Sequence, residues 1–370
     1  EPMPPQEMAR YWTDFINGHI PNFDLSPYQQ IDNYVKECWE AIVETAIWAE
    51  KELPGVLGKI QPDMVCVDNV ILFPAIKRYA RENQKPWVRI ISCSENEIAD
   101  PSIPPHLSGC GENDAACFAA YQDHFNEVVK PTHDKFNVFL AQCDEEPYPI
   151  GEFFEASPHM NLLLYPESVK FKRATALDPT RFQYLEGCVR DESAFEVPTF
   201  KANNDAPLLY VSFGSLGSGD TVLLKRLMEA IAAMSVRALF NVGDYESEYD
   251  AVPDNIQIAS WYPQPSVISQ ADAVIHHGGN NSFNECLYFG KPALIMPYVW
   301  DGHDNAKRVT ETGHGFHLHR NDWTPDELRA CIDSMLTNKK LHERLQATSA
   351  HMRSEDGPTK AAGILDRLVS

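Results

Sequence analysis

A 370-residue chain with 44% hydrophobic and 23% charged residues is predicted to be an α/β protein of two domains, each built on a parallel, doubly wound sheet. Chain length alone allows about two domains of ordinary size. From residue 207 onward short apolar runs alternate with amphipathic stretches, and parallel strands need crossovers of that kind, which pack as helices. Ligands of such sheets bind beyond the carboxyl ends of the strands, so the turns leaving the strands are where function is sought.

In the first half, Ile31, Val35, Cys38, Ile42, Ala46, Ala49 and Leu53 recur at helical spacing with Glu and Lys between them, predicting one long amphipathic helix over 31–53. Met64 to Val67 reads as a buried strand ending at Asp68 and feeding a helix over 71–79. Val88 to Ile91, Leu162 to Tyr165 and Phe182 to Leu185 are further strands, whereas the polar, proline-bearing residues 94–160 are expected to be helical pieces joined by loops. The stretch KANNDA between Pro198 and Pro207 has no periodicity and is taken as a linker, 199–206, between a domain of 1–198 and one of 207–370. Beyond it, strands are predicted at Leu208 to Val211, Arg237 to Asn241, Ile256 to Ala259, Ala273 to His276 and Ala293 to Met296. Helices are predicted at Val222 to Met234, Ser282 to Phe289, Asn305 to Glu311 and Pro325 to Leu336. No solenoid period recurs.

A formal net charge of -22 repels polyanions, so nucleic acid and anionic membrane surfaces are excluded as partners, and a small anionic ligand would need local dipoles to bind. The nine cysteines are scattered, odd in number and never at CxxC or metal-knuckle spacing, which reads as reduced thiols. No stretch approaches the roughly 20 consecutive apolar residues that cross a bilayer, and no leader opens the chain, so a cytoplasmic location is expected. The opening EPMPPQEMARYW reads as the middle of a loop, ahead of which a leader could have stood.

The most informative stretch runs from Trp261 to Asn305, WYPQPSVISQADAVIHHGGNNSFNECLYFGKPALIMPYVWDGHDN. Trp261, Pro263 and Gln264 form WxPQ; ADAVIHHGG follows; then Asn281, Ser282, Glu285, Gly290, Pro292, Pro297, Asp301 and Asn305 keep a fixed register. This stretch resembles the donor-binding signature of family 1 glycosyltransferases, the group that includes plant and animal nucleotide-sugar transferases and bacterial macrolide and antibiotic transferases. The resemblance is strong over most of 207–370 and loose over 60–200. It implies the GT-B fold, two Rossmann-like domains facing a cleft, with the first domain lacking its front strands.

Physical chemistry agrees at HHGGNNS, where a buried strand ends and a helix begins, so that free backbone N–H groups and the positive end of the dipole make a diphosphate site. Gly278 and Gly279 let the main chain approach a ligand without a Cβ in the way. The resemblance assigns phosphate contacts to His277, Asn281 and Ser282, the ribose hydroxyls to Glu285, base stacking to Trp261 and a neighbouring polar contact to Gln264. Taken singly, His277 and Trp261 would read equally well as core residues, and His276 reads as a satisfied core histidine.

A second glycine loop, SFGSLGSGD over Ser212 to Asp220, stands between a strand and a helix and resembles the family's FGS turn, with Gly214 and Ser215 near the donor. Glycine content alone would equally describe a tight turn. Asp301 matches the acidic member of the family's DQ pair, which holds sugar hydroxyls, but Gly302 stands where Gln is usual. Either His303 substitutes or the donor sugar differs from plain glucose.

The resemblance implies a single displacement with inversion and no metal or other cofactor, the nucleotide sugar, a UDP-sugar first, being a co-substrate. A histidine base in the front of the first domain would take the acceptor's proton, and Asp68 sits where the aspartate that fixes its tautomer belongs. The alternative for Asp68 is a cap on the helix expected from Ile71 onward. Nothing in residues 1–60 matches the strand and loop that carry the base, and a sheet without its first strand leaves a costly open edge. Loss or omission of that front, with a separate front fragment of the same protein as one form of it, is favoured over a naturally short chain. The leading reading is thus a transferase acting on a small-molecule acceptor. A nucleotide-sugar epimerase or hydrolase of the same architecture, and a non-catalytic nucleotide-sugar-binding auxiliary subunit, stay open beside it.

Overall fold

The computed structural model describes residues 5–68 and 73–370, and the chain divides into two compact units. One comprises Glu1–Glu186 with Gly357–Ser370, the other Gly187–Asp356. The division thus falls ahead of 199–206, and the terminal helix Gly357–Val369 joins the first unit although its sequence position is last.

In the first unit four parallel strands, β1 (Val65–Asp68), β2 (Trp87–Ile91), β3 (Met160–Leu163) and β4 (Phe182–Tyr184), lie side by side in chain order. Strand β1 forms an edge, with Cys66 and Asp68 exposed, whereas all four residues of β3 are buried. The expected helix over 31–53 is present and longer. A π-helical turn at Ile31–Val35 leads into the helix Lys36–Ile60, which runs through Pro54 and stops where Gln61 turns left-handed and donates to the Leu57 carbonyl. Its buried face is Cys38, Trp39, Val43, Ala46 and Leu57. The helix after β1 spans Pro74–Asn83; the beginning expected for it at Ile71 lies outside the described residues.

Two sequence expectations are corrected in this unit. Residues 94–160 contain a 28-residue helix, Ala115–Gln142, with Pro131 in its interior. Tyr121, Phe125, Val129, Thr132, His133, Phe136, Phe139 and Leu140 bury one continuous stripe, and that burial outweighs the roughly 3 kcal/mol that an interior proline costs a helix. The cysteines are not all reduced thiols: Cys110 and Cys117 form a disulfide with Cα atoms 5.8 Å apart. Asp114 caps the helix by accepting from the Cys117 amide, which folds the first turn back over Cys110. Cys38, Cys66, Cys93, Cys143, Cys188, Cys286 and Cys331 take no part in a disulfide. Among the described residues no helix is long and apolar enough to cross a membrane.

The second unit carries six parallel strands: β5 (Leu208–Ser212), β6 (Arg237–Asn241), β7 (Ile256–Ala259), β8 (Ala273–His276), β9 (Ala293–Ile295) and β10 (Gly315–His317). Their spatial order is β10-β9-β8-β5-β6-β7. The chain therefore builds outward from β5 in one direction, returns to its other side at β8 and builds outward again, so β5 and β8 are neighbours from which consecutive connections diverge. A crevice opens at such a reversal because the loops leaving the two strands turn to opposite faces. Leu209, Tyr210, Val211, Leu239, Phe240, Ile275, Leu294 and Ile295 are all fully buried, as sheets covered on both faces by helices require. Leu239→Ala at the centre of this sheet is expected to cost about 3 kcal/mol, read as a lowered urea midpoint at unchanged slope.

Candidate functional site

The loops leaving β5 and β8 bring the predicted residues of the second unit together. After β8 the chain turns at Gly278, whose φ of 93° an L side chain rarely adopts, and a Cβ there would come within 2.8 Å of the Gly302 carbonyl oxygen and the Ile295 side chain. Gly302 answers it, since a Cβ on Gly302 would stand 2.7 Å from the His277 carbonyl oxygen. Two stretches of main chain are in contact here, which is a physical reason for glycine at the position where the resemblance leads one to expect Gln. The same contact is tied by side chains. Asn305 Nδ2 donates to the Gly278 carbonyl (2.8 Å), and Asp301 Oδ2 accepts from the Asn280 amide (2.9 Å).

Asp301 therefore caps the helix Asn280–Tyr288 and takes one of the amides that the sequence leaves free for an anion. The next two, of Asn281 and Ser282, make no hydrogen bond to a protein acceptor among the described residues. Asn281 is exposed, so the junction reaches the surface of its unit. Ser282 is buried, and its Oγ accepts from Gln264 Nε2 (3.0 Å), which leaves the hydroxyl proton available for donation. Trp300, immediately before Asp301, has a φ of 60° and a ψ of -143°, a strained conformation for a non-glycine residue of the kind that clusters at ligand sites.

His277 lies between the two glycine loops. A Cβ on Gly214 would approach its Cε1 to 2.9 Å and one on Gly279 its Nε2 to 2.6 Å, so the imidazole rests against both main chains. Its Nδ1 is shut off from solvent and lacks a hydrogen-bond partner. Burial pushes its pKa from 6.5 down to about 4, against an upward pull from the Ser212 main chain, so it is a neutral ring at physiological pH. His276 is fully buried, as expected of a core residue, and its Nδ1 accepts from the Gly278 amide (3.1 Å). That bond puts the proton on Nε2, which has no partner. Burial first, and His277 second, push His276 down to about 3.

Gln264 is the hub on the other side. Besides Ser282, its Nε2 donates to Glu285 Oε2 (2.6 Å), while its Oε1 accepts from the Tyr210 hydroxyl (3.4 Å). Glu285 is buried; burial raises its pKa, and Gln264 and Arg190 pull it back down. Trp261 is 61% exposed, a free ring rather than a core residue. Ser215 is exposed on the loop after β5, and the loop ends at Asp220, which accepts from the Leu223 amide as a helix cap. Asp220 Oδ2 also accepts from Arg320 Nη1 (2.7 Å) and the Tyr298 hydroxyl (3.0 Å), and the Arg320 guanidinium stacks 3.9 Å over the Tyr298 ring. This linkage ties the loop after β5 to those after β9 and β10.

Asp68 lies in the other unit, exposed at the end of β1, where it accepts from the Ser92 hydroxyl (2.7 Å). Burial, with His317 as the next cause, pushes His303 down to about 3. Sequence reasoning missed Arg190, Tyr298 and Arg320. For Asp220 a signal existed, an aspartate closing a glycine loop just ahead of an apolar helix.

Residues 225–368 match the family model of the erythromycin biosynthesis protein CIII-like C-terminal domain. The NDP-glycosyltransferase YjiC of Bacillus subtilis (strain 168) is 24% identical over 315 residues, 84% of this chain and 73% of the relative. The aligned segments of two further relatives span 47% and 65% of those proteins' own lengths. Among solved structures, the glycosyltransferase of kitacinnamycin superposes with a TM-score of 0.72 at 20% identity, covering 90% of this chain and 83% of that one. VinC, solved in complex with dTDP, gives 0.64 at 18% identity, covering 96% and 83%.

Two expected outcomes follow from the site. Gly302→Gln should destabilise the fold by about 3 kcal/mol, because the new Cβ meets a main-chain oxygen that cannot yield, and a melting temperature equal to the parent's would contradict that contact. Stability should fall as pH drops from 6.5 towards 3, since His276, His277 and His303 have folded pKa values below 6.5 and the unfolded chain takes up protons first. Urea titrations at stepped pH measure this, and a flat profile over that window would refute it.

With the signature laid around a strand reversal and the match over 225–368, the second unit contains most of an EryCIII-like carboxy-terminal domain, and the chain shares the two-sheet α/β fold of the GT-B glycosyltransferases on which it superposes.

Proposed function

We propose that this chain transfers a sugar from a nucleoside diphosphate donor, UDP or dTDP, onto a small hydroxylated natural product, by one inverting displacement that needs no metal. One observation carries the reading. Where β5 and β8 part, two uncommitted amides, the Ser282 hydroxyl and the neutral His277 ring gather beside Gln264 and Glu285. Such a set suits a diphosphate on the helix end, ribose hydroxyls at the buried carboxylate and a base on the open face of Trp261. The dTDP bound to VinC supports dTDP as an alternative to UDP, and the kitacinnamycin enzyme supports a natural-product acceptor.

As the anomeric bond breaks, charge builds on the leaving diphosphate. Preorganised amides, a hydroxyl and an imidazole N–H stabilise that charge without reorganising, which is the role a cation fills in other transferases. On the acceptor side a base must take the hydroxyl proton, and Asp68, held by Ser92, is the residue to steady it. Gly302 leaves the sugar ring without the amide side chain usual in the family, which favours a donor sugar other than plain glucose.

Calorimetry with UDP, dTDP and GDP, followed by the tightest donor's sugar tested against an acceptor panel with mass detection and with and without EDTA, tests the proposal. Binding of none of the three, or release of free sugar or epimer in place of a glycoside, would overturn it. His277→Ala is expected to lower kcat/KM by a factor equivalent to about 3 kcal/mol, and near-normal turnover in that variant would remove His277 from the mechanism.

A further inference from the structure

Glu285 is only half committed within the protein. Gln264 occupies Oε2, and no protein donor lies within hydrogen-bond reach of Oε1 among the described residues. The nearest positive group is Arg190, whose Nη2 stands 3.9 Å from Oε1, too long for a hydrogen bond and close enough for strong attraction. Arg190 is itself braced, its Nε donating to Glu192 Oε1 at 2.5 Å, and its side chain is half exposed while that of Glu285 is 4% exposed. A buried carboxylate thus faces an accessible guanidinium at 3.9 Å, so that one polar atom set to the side of the line between them can reach both. The group that fits is one that donates to the carboxylate and accepts from the guanidinium together, which describes a hydroxyl.

Arg190 is placed there by a stretch with no regular structure. Phe195 fastens it to the helix Gln264–Gln270, its amide donating to Ser266 Oγ (2.9 Å) and its carbonyl accepting from Gln270 Nε2 (2.9 Å), while its ring packs edge-on against Tyr262. The helix that carries Gln264 therefore also positions Arg190.

We propose that Arg190 is the second half of a ribose clamp, donating to the same sugar hydroxyl of the nucleoside that donates to Glu285, with Glu192 setting the guanidinium's orientation. This rests on the reading of the site as a nucleoside diphosphate site. The clamp makes affinity depend on ribose hydroxyls, so UDP and 2′,3′-dideoxy-UDP are the probes. By calorimetry the parent chain is expected to prefer UDP by about 30-fold, the size of effect that follows when a buried charged acceptor and its partner lose a hydroxyl. Arg190→Gln should compress the preference to about threefold, and Arg190→Lys should hold an intermediate ratio. A general loss of fold or of charge would weaken both ligands equally, so a ratio that Arg190→Gln leaves unchanged overturns the clamp, whatever happens to absolute affinity. Failure of the parent to bind UDP or dTDP would overturn the proposed function and the clamp with it; UDP binding with an unaltered ratio would overturn the clamp alone.

Discussion

The contact of main chain with main chain at Gly278 and Gly302 is the constraint on which the site depends. A Cβ at either position runs into the other strand of backbone, so the two turns close on each other only as glycines. That closeness lets Asp301 reach the Asn280 amide and Asn305 reach the Gly278 carbonyl. With its first turn held from below, the helix Asn280–Tyr288 aims Ser282 and Glu285 at Gln264, and the three side chains become one hydrogen-bonded group. The strain at Trp300 sits two residues from Gly302, where the chain must swing from β9 into the helix that bears Asp301.

In a chain of net charge -22 any site for an anion has to be local. Residues 276–290 contain no lysine or arginine, so the junction after β8 offers amide dipoles, a hydroxyl and an uncharged imidazole instead of formal charge. Asp301 lowers the positive character of the helix end further by occupying its first amide. Such a site is preorganised and selective for geometry, because it gains little from a long-range field. The guanidinium facing Glu285 is that of Arg190, and it stands between two protein carboxylates, Glu285 and Glu192, which offset its charge.

Much of this was legible beforehand where periodicity and turn chemistry are strong. Strands β5 to β9 follow from apolar runs of three to five residues bounded by glycine, proline and aspartate, the helices after β5, β8 and β9 from their periodicity, and the candidate site loops from their place at strand ends; the helix Gln264–Gln270 was not read. Strand β10 was not legible, because Gly315, Phe316 and His317 form a run of three whose pairing with β9 is the only mark of a strand. The helix Ala115–Gln142 was not legible as one element, because residues 94–160 are polar and rich in proline, Pro131 among them, although its buried stripe has helical spacing throughout. The Cys110–Cys117 bridge depends on a capped turn that folds back, which spacing does not encode.

The sequence by itself determined the class of fold, the loops that form the candidate site and most of the side chains in them, because strand–turn–helix chemistry is local and repeats at short spacing. Only the tertiary structure decided that Gly302 is a steric necessity, that Asp301 caps a helix and that Arg190 faces Glu285 from about 95 residues away in the chain. Each of these is a contact between segments distant in sequence, set by the packing of a sheet whose strand order reverses at β5 and β8, and no pattern of neighbouring residues records which segments a reversal will bring together.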